Sequence, residues 1–184
     1  MLGSIFSFVV DAIAGLFAGF FLLRFWMQAL RVRPPMPFAQ AIYQLTDWLI
    51  HPLRRVIPGF AGYDWSSLIA ALLVSLLSVL LEIWMLPTMN AASVVIFTFG
   101  KLAQWVIYGL IALLILEAIF SWVNPHAPFA PFVRALNAPM LSPLRRLISP
   151  MGGIDFSPLI ALLILQVLNM LLNHLMLRAF TFVW

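Results

Sequence analysis

Residues 157–177 read SPLIALLILQVLNMLLNHLML, a stretch without one Asp, Glu, Lys or Arg. As a helix rising 1.5 Å per residue, about 20 such residues cross the roughly 30 Å hydrocarbon layer of a bilayer. Working outward from it, three more stretches pass the same test. Ser66 to Leu86 carries the single charge Glu82, and Ile5 to Leu30 carries Asp11 and Arg24. Ser93 to Val123 is interrupted by Gly100-Lys101 and by Glu117. This third span in chain order is too long to stand upright, so it tilts, kinks or starts outside the lipid, and Gly100-Lys101 is the expected place for that start. The whole chain agrees: 64% of its 184 residues are hydrophobic and 9% are charged. Soluble domains run at about 45–50% and about 25%, and a small soluble domain cannot hide that much apolar surface. Disorder is excluded because the chain has too much to bury. With no cysteine, disulfide frameworks and thiolate metal sites are excluded as well.

Arginine placement sets the expected orientation. Arg31, Arg33, Arg54 and Arg55 lie between spans one and two, and Arg134, Arg145 and Arg146 between spans three and four. The residues before the first span and residues 87–100 carry no basic side chain. The positive-inside rule therefore puts both Arg-rich segments in the cytoplasm and both termini outside. The net charge of +4 reads as a topology signal, and nothing resembles a nucleic-acid face. The first span lacks the basic n-region and short apolar core of a cleavable signal peptide.

The two halves of the chain match each other at a constant spacing. Pro52-Leu53-Arg54-Arg55-Val56-Ile57 aligns with Pro143-Leu144-Arg145-Arg146-Leu147-Ile148. At the same spacing Gly62, Asp64 and Ser66 fall on Gly153, Asp155 and Ser157, and Pro34, Pro37 and Phe38 fall on Pro125, Pro128 and Phe129. The expected organisation is two repeats, 1–91 and 92–184, each a span, a cytoplasmic segment and a span. Because both halves start outside, the repeats are parallel, unlike the inverted repeats of many transporters.

Each cytoplasmic segment has a helical apolar pattern: Phe38, Ile42, Leu45 and Leu49 in the first, and Phe129, Phe132, Val133 and Leu136 in the second. Gln40, Gln44, Asp47, Arg134 and Asn137 occupy the other faces. Two readings stand, a short amphipathic helix lying at the interface or a helix tucked against the spans. Pro52 and Pro143 are expected to stop these helices. In Gly152-Gly153-Ile154-Asp155-Phe156-Ser157-Pro158, the glycines permit a tight turn, Ser157 can cap the next helix, and Pro158 suits its first position. Asp64 and Asp155 are read as helix caps or as partners of the nearby arginines, ahead of any catalytic role.

Together these residues resemble the YggT family (also called YlmG) of small bacterial and plastid membrane proteins. The resemblance rests on Leu22-Leu23-Arg24-Phe25-Trp26-Met27-Gln28, both Pro-Leu-Arg-Arg blocks, Ser121-Trp122, and the block from Gly152 to Pro158. It covers nearly the whole chain. Trp48 stands where the second half has Pro139, and Ser67 where it has Pro158, which loosens the match of the first-half turn only. The resemblance implies an inner-membrane location and no agreed biochemical activity, with associations to osmotic-stress tolerance, cell division and, in plastids, maturation of a membrane cytochrome.

Charges inside a span are costly and mark function by default. Arg24 and Glu117 occupy similar depths in the two halves, so the expectation is that they pair; the alternative is that Arg24 snorkels to the headgroups. Asp11, Glu82, His174 and Arg178 sit toward the other side, lining a vestibule or ringing the interface, and Asn169 and Asn173 read as hydrogen-bonding glue. His51, His126 and His174 have no metal-ligand spacing, and no phosphate loop or catalytic triad is present, so no metal, no cofactor and no enzymatic activity is expected. A haem-ligand role for His51 or His126 is the less supported alternative to plain loop histidines. Trp26, Trp48, Trp65 and Trp122 read as interfacial anchors. The best binding candidates are Arg54, Arg55, Arg145 and Arg146, whose forks take phosphate bidentately; the competing reading is that they serve topology alone. The sequence thus points to an all-α bundle of four spans in two parallel repeats with two short interfacial amphipathic helices on the cytoplasmic side, a non-enzymatic scaffold or assembly and stress factor that engages anionic lipid or a membrane partner, with homo-oligomerisation open. The alternative is a small oligomeric ion or osmolyte channel using Arg24, Glu117 and Asp11, although the last span offers only an incomplete polar stripe.

Overall fold

A computed structural model of the chain describes residues 2–57, 59–60, 62–83, 90–124, 126–148 and 155–182. Six helices follow one another: α1 (Leu2–Ala29), α2 (Met36–Val56), α3 (Trp65–Ile83), α4 (Ala91–Val123), α5 (Ala130–Leu147) and α6 (Ser157–Phe182). No strand occurs among the described residues. Stretches of α1, α3, α4 and α6 are long and apolar enough to cross a membrane: Gly3–Ala29, Trp65–Glu82, Ala91–Ser121 and Ser157–Ala179. In hydrocarbon every backbone N–H and C=O must be satisfied within the protein, which a helix achieves alone. The outward faces stay apolar, with Leu163 at 59% and Leu175 at 65% exposure on α6. In water such faces would be a liability; against lipid they are the contact surface. The chain is a multi-pass membrane protein.

α3 is the most enclosed span and packs along α1 and α4, while α4 packs along α6. One apolar cluster joins Ala18 and Phe21 of α1, Ile50 of α2, Ala70 and Ala71 of α3, and Trp105 of α4. A second joins Met27 of α1 and Ile42 of α2 to Phe132, Val133 and Leu136 of α5. A third holds Leu114, Leu141, Ala161 and Leu165 of α4, α5 and α6. The connecting segments form the two amphipathic helices α2 and α5, each burying one side against the spans.

Several details differ from the sequence expectations. Pro52 does not stop α2, nor Pro143 α5; both prolines lie inside helices that continue to Val56 and Leu147. Each loses one backbone hydrogen bond at its proline. The following turn is held by Leu53 and Leu144, which pack against the apolar clusters, and by basic residues suited to a helix C-terminus. The apolar stripe of α2 is also rotated. Leu45 is 41% exposed and Thr46 is fully buried, because the Thr46 hydroxyl donates to the Ile42 carbonyl and accepts from Arg24. Asn137 likewise points inward, donating to the Leu113 carbonyl at 2.9 Å. The helix of the third span, α4, already starts at Ala91, where the Asn90 side chain accepts from the N–H of Ser93, ahead of Gly100-Lys101. The expected turn at Gly152-Gly153 lies outside the described residues.

Candidate functional site

α1 and α4 end, and α3 and α6 begin, at one end of the bundle, where α2 and α5 also bring their arginines. α1 closes with the Val32 N–H donating to the Met27 carbonyl and the Arg31 N–H to that of Gln28. Arg31 there takes φ +55°, the left-handed position that glycine usually fills in this helix stop. The chain then turns back into α2, which carries Asp47, Arg54 and Arg55 along the end of the bundle.

Arg24, 8% exposed, is met by three side chains of α2: Thr46 Oγ1 at 2.7 Å, Asp47 Oδ1 at 2.6 Å, and the Tyr43 ring 4.8 Å from the guanidinium carbon. Asp64, just ahead of α3, lies 3.8 Å from Arg24 and 2.6 Å from Arg54, and accepts from the Ser67 hydroxyl at 2.7 Å. The second half repeats part of this arrangement. Arg145 donates to Asp155 at 2.7 Å and to Glu117 at 2.9 Å. The Asp155 carboxylate accepts from the Ser157 N–H, so Asp155 caps α6 and the Ser157 hydroxyl does not. Arg24 and Glu117 therefore do not pair with each other. Each half supplies its own counter-charge from the helix after the span: Asp47 for Arg24 and Arg145 for Glu117.

Burial pushes the Asp64 carboxyl up, but hydrogen bonds from Arg54 and Ser67 and the charges of Arg54 and Arg24 outweigh it, holding the group below the usual carboxylate value. Asp155 is lowered in the same manner: burial raises it, and Arg145 and the Ser157 N–H overcome this. Both acids are ionised at neutral pH. The members of each Arg-Arg pair consequently differ. Arg54 and Arg145 are clamped to carboxylates, whereas Arg55 and Arg146 are exposed and make no ion pair among the described residues.

Lys101 forms the charged cluster at the opposite end. Its ammonium reaches from α4 to Asp11 of α1 at 2.9 Å, and to Ser78 at 3.1 Å and Glu82 at 2.5 Å on α3. Sequence reasoning missed this role for Lys101, as it missed Asp47 and Thr46. The signal for Lys101 was present, as a lone cation in one span facing a lone acid in each of two others. Asn173 accepts from Gln104 of α4, and His51 lies within α2 rather than in a loop. Between the two charged ends sits the apolar cluster of Phe21, Ile50, Ala70, Ala71 and Trp105.

The profile of the CCB3/YggT family matches residues 3–86 and 96–176. An Escherichia coli (strain K12) protein named "Uncharacterized protein YggT" is 36% identical over 170 residues, covering 89% of this chain and 87% of that one. An uncharacterized protein of Pseudomonas aeruginosa is 34% identical over 187 residues, covering 91% and 88%. A Vibrio alginolyticus protein described only by its place in the proC 3' region is 31% identical, covering 92% and 94%. No solved structure matches the chain.

Proposed function

Because the chain belongs to the CCB3/YggT family and is a multi-pass membrane protein, we propose that it is a non-enzymatic inner-membrane scaffold or assembly factor, serving in osmotic-stress tolerance, whose Arg-rich end lies in the cytoplasm and engages anionic lipid or a membrane partner. Exposed Arg55 and Arg146 carry this reading. Every carboxylate near them is already matched to another arginine, so their guanidiniums are left for groups outside the chain. Near an anionic surface each such residue contributes on the order of 1 kcal/mol. The clamps on Arg54 and Arg145 hold the segment on which Arg55 and Arg146 stand.

The conduit alternative has less support. Arg24, Glu117 and Asp11 are each neutralised locally, and large apolar side chains fill the space between the charged ends. Flux from sealed vesicles containing the purified protein, after an osmotic jump and under an ion gradient, tests the choice. Flux equal to empty vesicles is expected. Leakage that disappears on neutralising Arg24 or Glu117 would replace the scaffold by a conduit. The absence of cysteine makes the orientation directly measurable. A cysteine placed at position 55 or 146 should react with an impermeant maleimide only from the cytoplasmic side, and one at position 90 only from the outside.

A further inference from the structure

A cavity of about 570 Å³ opens at the Arg-rich end between the end of α1, α2 and the turn at Gly62. Its size falls within the range of small-molecule clefts. Four guanidiniums line it, those of Arg24, Arg31, Arg33 and Arg54, and Asp47 is the one carboxylate in the lining. Counting Asp64, which is bound to Arg54 and close to Arg24, the wall holds four positive charges against two negative ones. The surplus of two resides on Arg31 and Arg33, exposed residues with no ion pair among the described ones. Gln28, Tyr43 and His51 add further polar groups.

Two independent features mark the cavity as built rather than incidental. The first is the strained residue. Arg31 occupies a left-handed backbone position where glycine would cost nothing, and the helix stop it forms occupies the carbonyls of Met27 and Gln28. Those carbonyls, the negative end of the α1 dipole, would otherwise face an anion. The second is the contrast between the halves. At the matching positions Arg24, Gln28, Arg31, Arg33, Asp47 and His51 become Ile115, Ile119, Trp122, Asn124, Ala138 and Ser142, and Tyr43 becomes Arg134, so at the lining positions the second half has two cations, Arg134 and Arg145, where the first has four. Of the lining, Val32, the clamp Arg54 and the turn glycine Gly62 have their like, in Val123, Arg145 and Gly153. The shared scaffold is thus kept in both halves, and the polar cavity belongs to the first alone.

We propose that this cavity binds one phosphomonoester dianion, held by Arg31 and Arg33 over the fixed floor of Arg24 and Arg54. A phosphomonoester carries close to two negative charges at neutral pH, which matches the surplus; a phosphodiester carries one. The group is either the headgroup of phosphatidic acid or a soluble phosphate. The proposal rests on the reading above only in sharing Arg54 and the same end of the bundle.

Full-length protein in phosphatidylcholine nanodiscs is titrated with inorganic phosphate and glycerol 3-phosphate, with dimethyl phosphate as the diester comparison, reading the thermal midpoint. A parallel set of discs holds equal fractions of phosphatidic acid or phosphatidylglycerol, reading lipid retained per chain by native mass spectrometry. Saturable stabilisation by the soluble monoesters identifies a soluble ligand, and preferential retention of phosphatidic acid identifies the lipid; either supports the site. Arg33→Gln, an exposed position outside the strained turn, should weaken the response about fivefold to tenfold, as loss of a charge-assisted fork predicts, while Arg134→Gln, with the same change in charge, should not. Equal binding of monoester and diester, no response in either set, or an Arg33→Gln chain that binds like the wild type would overturn the proposal. Adhesion of an Arg55→Gln/Arg146→Gln chain to phosphatidylglycerol vesicles tests the surface reading separately, so the two can fail independently.

Discussion

Asp64 and Asp155 sit where two needs coincide: the first-turn donors of α3 and α6, the Ser67 hydroxyl and the Ser157 N–H, each take a carboxylate oxygen, and Arg54 and Arg145 each need a counter-charge. One carboxylate meets both, and its pKa falls below that of a free carboxyl despite burial. A lowered folded-state value gives stability that is fully present above the unfolded pKa of about 3.9 and is lost as pH falls through the folded value. The thermal midpoint in detergent should therefore hold from neutral pH down to about pH 4 and drop below it. Asp64→Asn should lower stability at neutral pH by roughly 1–3 kcal/mol, and it should flatten the acid limb of that profile; an unchanged acid limb would remove Asp64 from the account. Arg31 gives a contrary prediction. Relieving its left-handed backbone with Arg31→Gly should stabilise the fold by about 1 kcal/mol, and Arg31→Ala should not, as melting of the two chains would reveal. The arginine–aspartate clamps were partly legible, because Asp64 and Asp155 stand at matching positions after matching Arg pairs. The partner of Arg24 was not, because matched depth in two spans suggested Glu117 while Asp47, hidden in the polar face of a connecting helix, lay closer.

The helices themselves were readable because hydropathy and length decide them in a bilayer, and the four apolar stretches became α1, α3, α4 and α6. Register was harder. On α2 the pattern favoured Leu45 inside, yet Thr46 took that place because Arg24 needed its hydroxyl, a pairing that hydropathy alone does not encode. Helix contacts turn on small residues that sequence patterning did not single out. A Cβ added at Gly15 of α1 would stand 3.0 Å from the Trp105 indole nitrogen of α4, and that indole is buried in the central cluster. Gly15→Val should destabilise the bundle by roughly 1–3 kcal/mol, the usual penalty of overpacking. At Gly19 a Cβ meets nothing within 4 Å, so Gly19→Ala should be neutral or better by up to about 1 kcal/mol through helix propensity. Chemical unfolding in mixed micelles ranks the two, and a Gly15→Val chain as stable as Gly19→Ala would mean that the indole yields freely.

Across the whole molecule, contacts at both ends add to the central apolar packing around Trp105 that holds the first three helices to the last three. At the Arg-rich end, Phe38 meets Phe129 and Phe132 edge-on, and the Trp26 indole donates to the Leu136 carbonyl. At the other end, Lys101 of α4 bridges Asp11 and Glu82 of the first three helices. Lys101 is 13% exposed and stands inside an apolar span, so removing it leaves two carboxylates near each other with no cation between them. Breaking one side of a buried pair costs about 3–5 kcal/mol, discounted here because Asp11 is half exposed. Lys101→Met should therefore weaken the joining of the two sets of helices more than it disturbs either set alone. Expressing residues 1–87 and 88–184 as separate chains turns that into a binding measurement. The two pieces should co-purify, Lys101→Met should reduce recovery severalfold, and adding Glu82→Gln to that variant should restore part of it by removing the surplus charge. Phe38→Ala, at the far end, should add to the Lys101→Met loss independently, because the two contacts share no residue. If Lys101→Met pieces co-purify as well as the wild type, the aromatic contacts and the central apolar packing suffice to join the halves, and the lysine cluster is a charge balance confined to its own end.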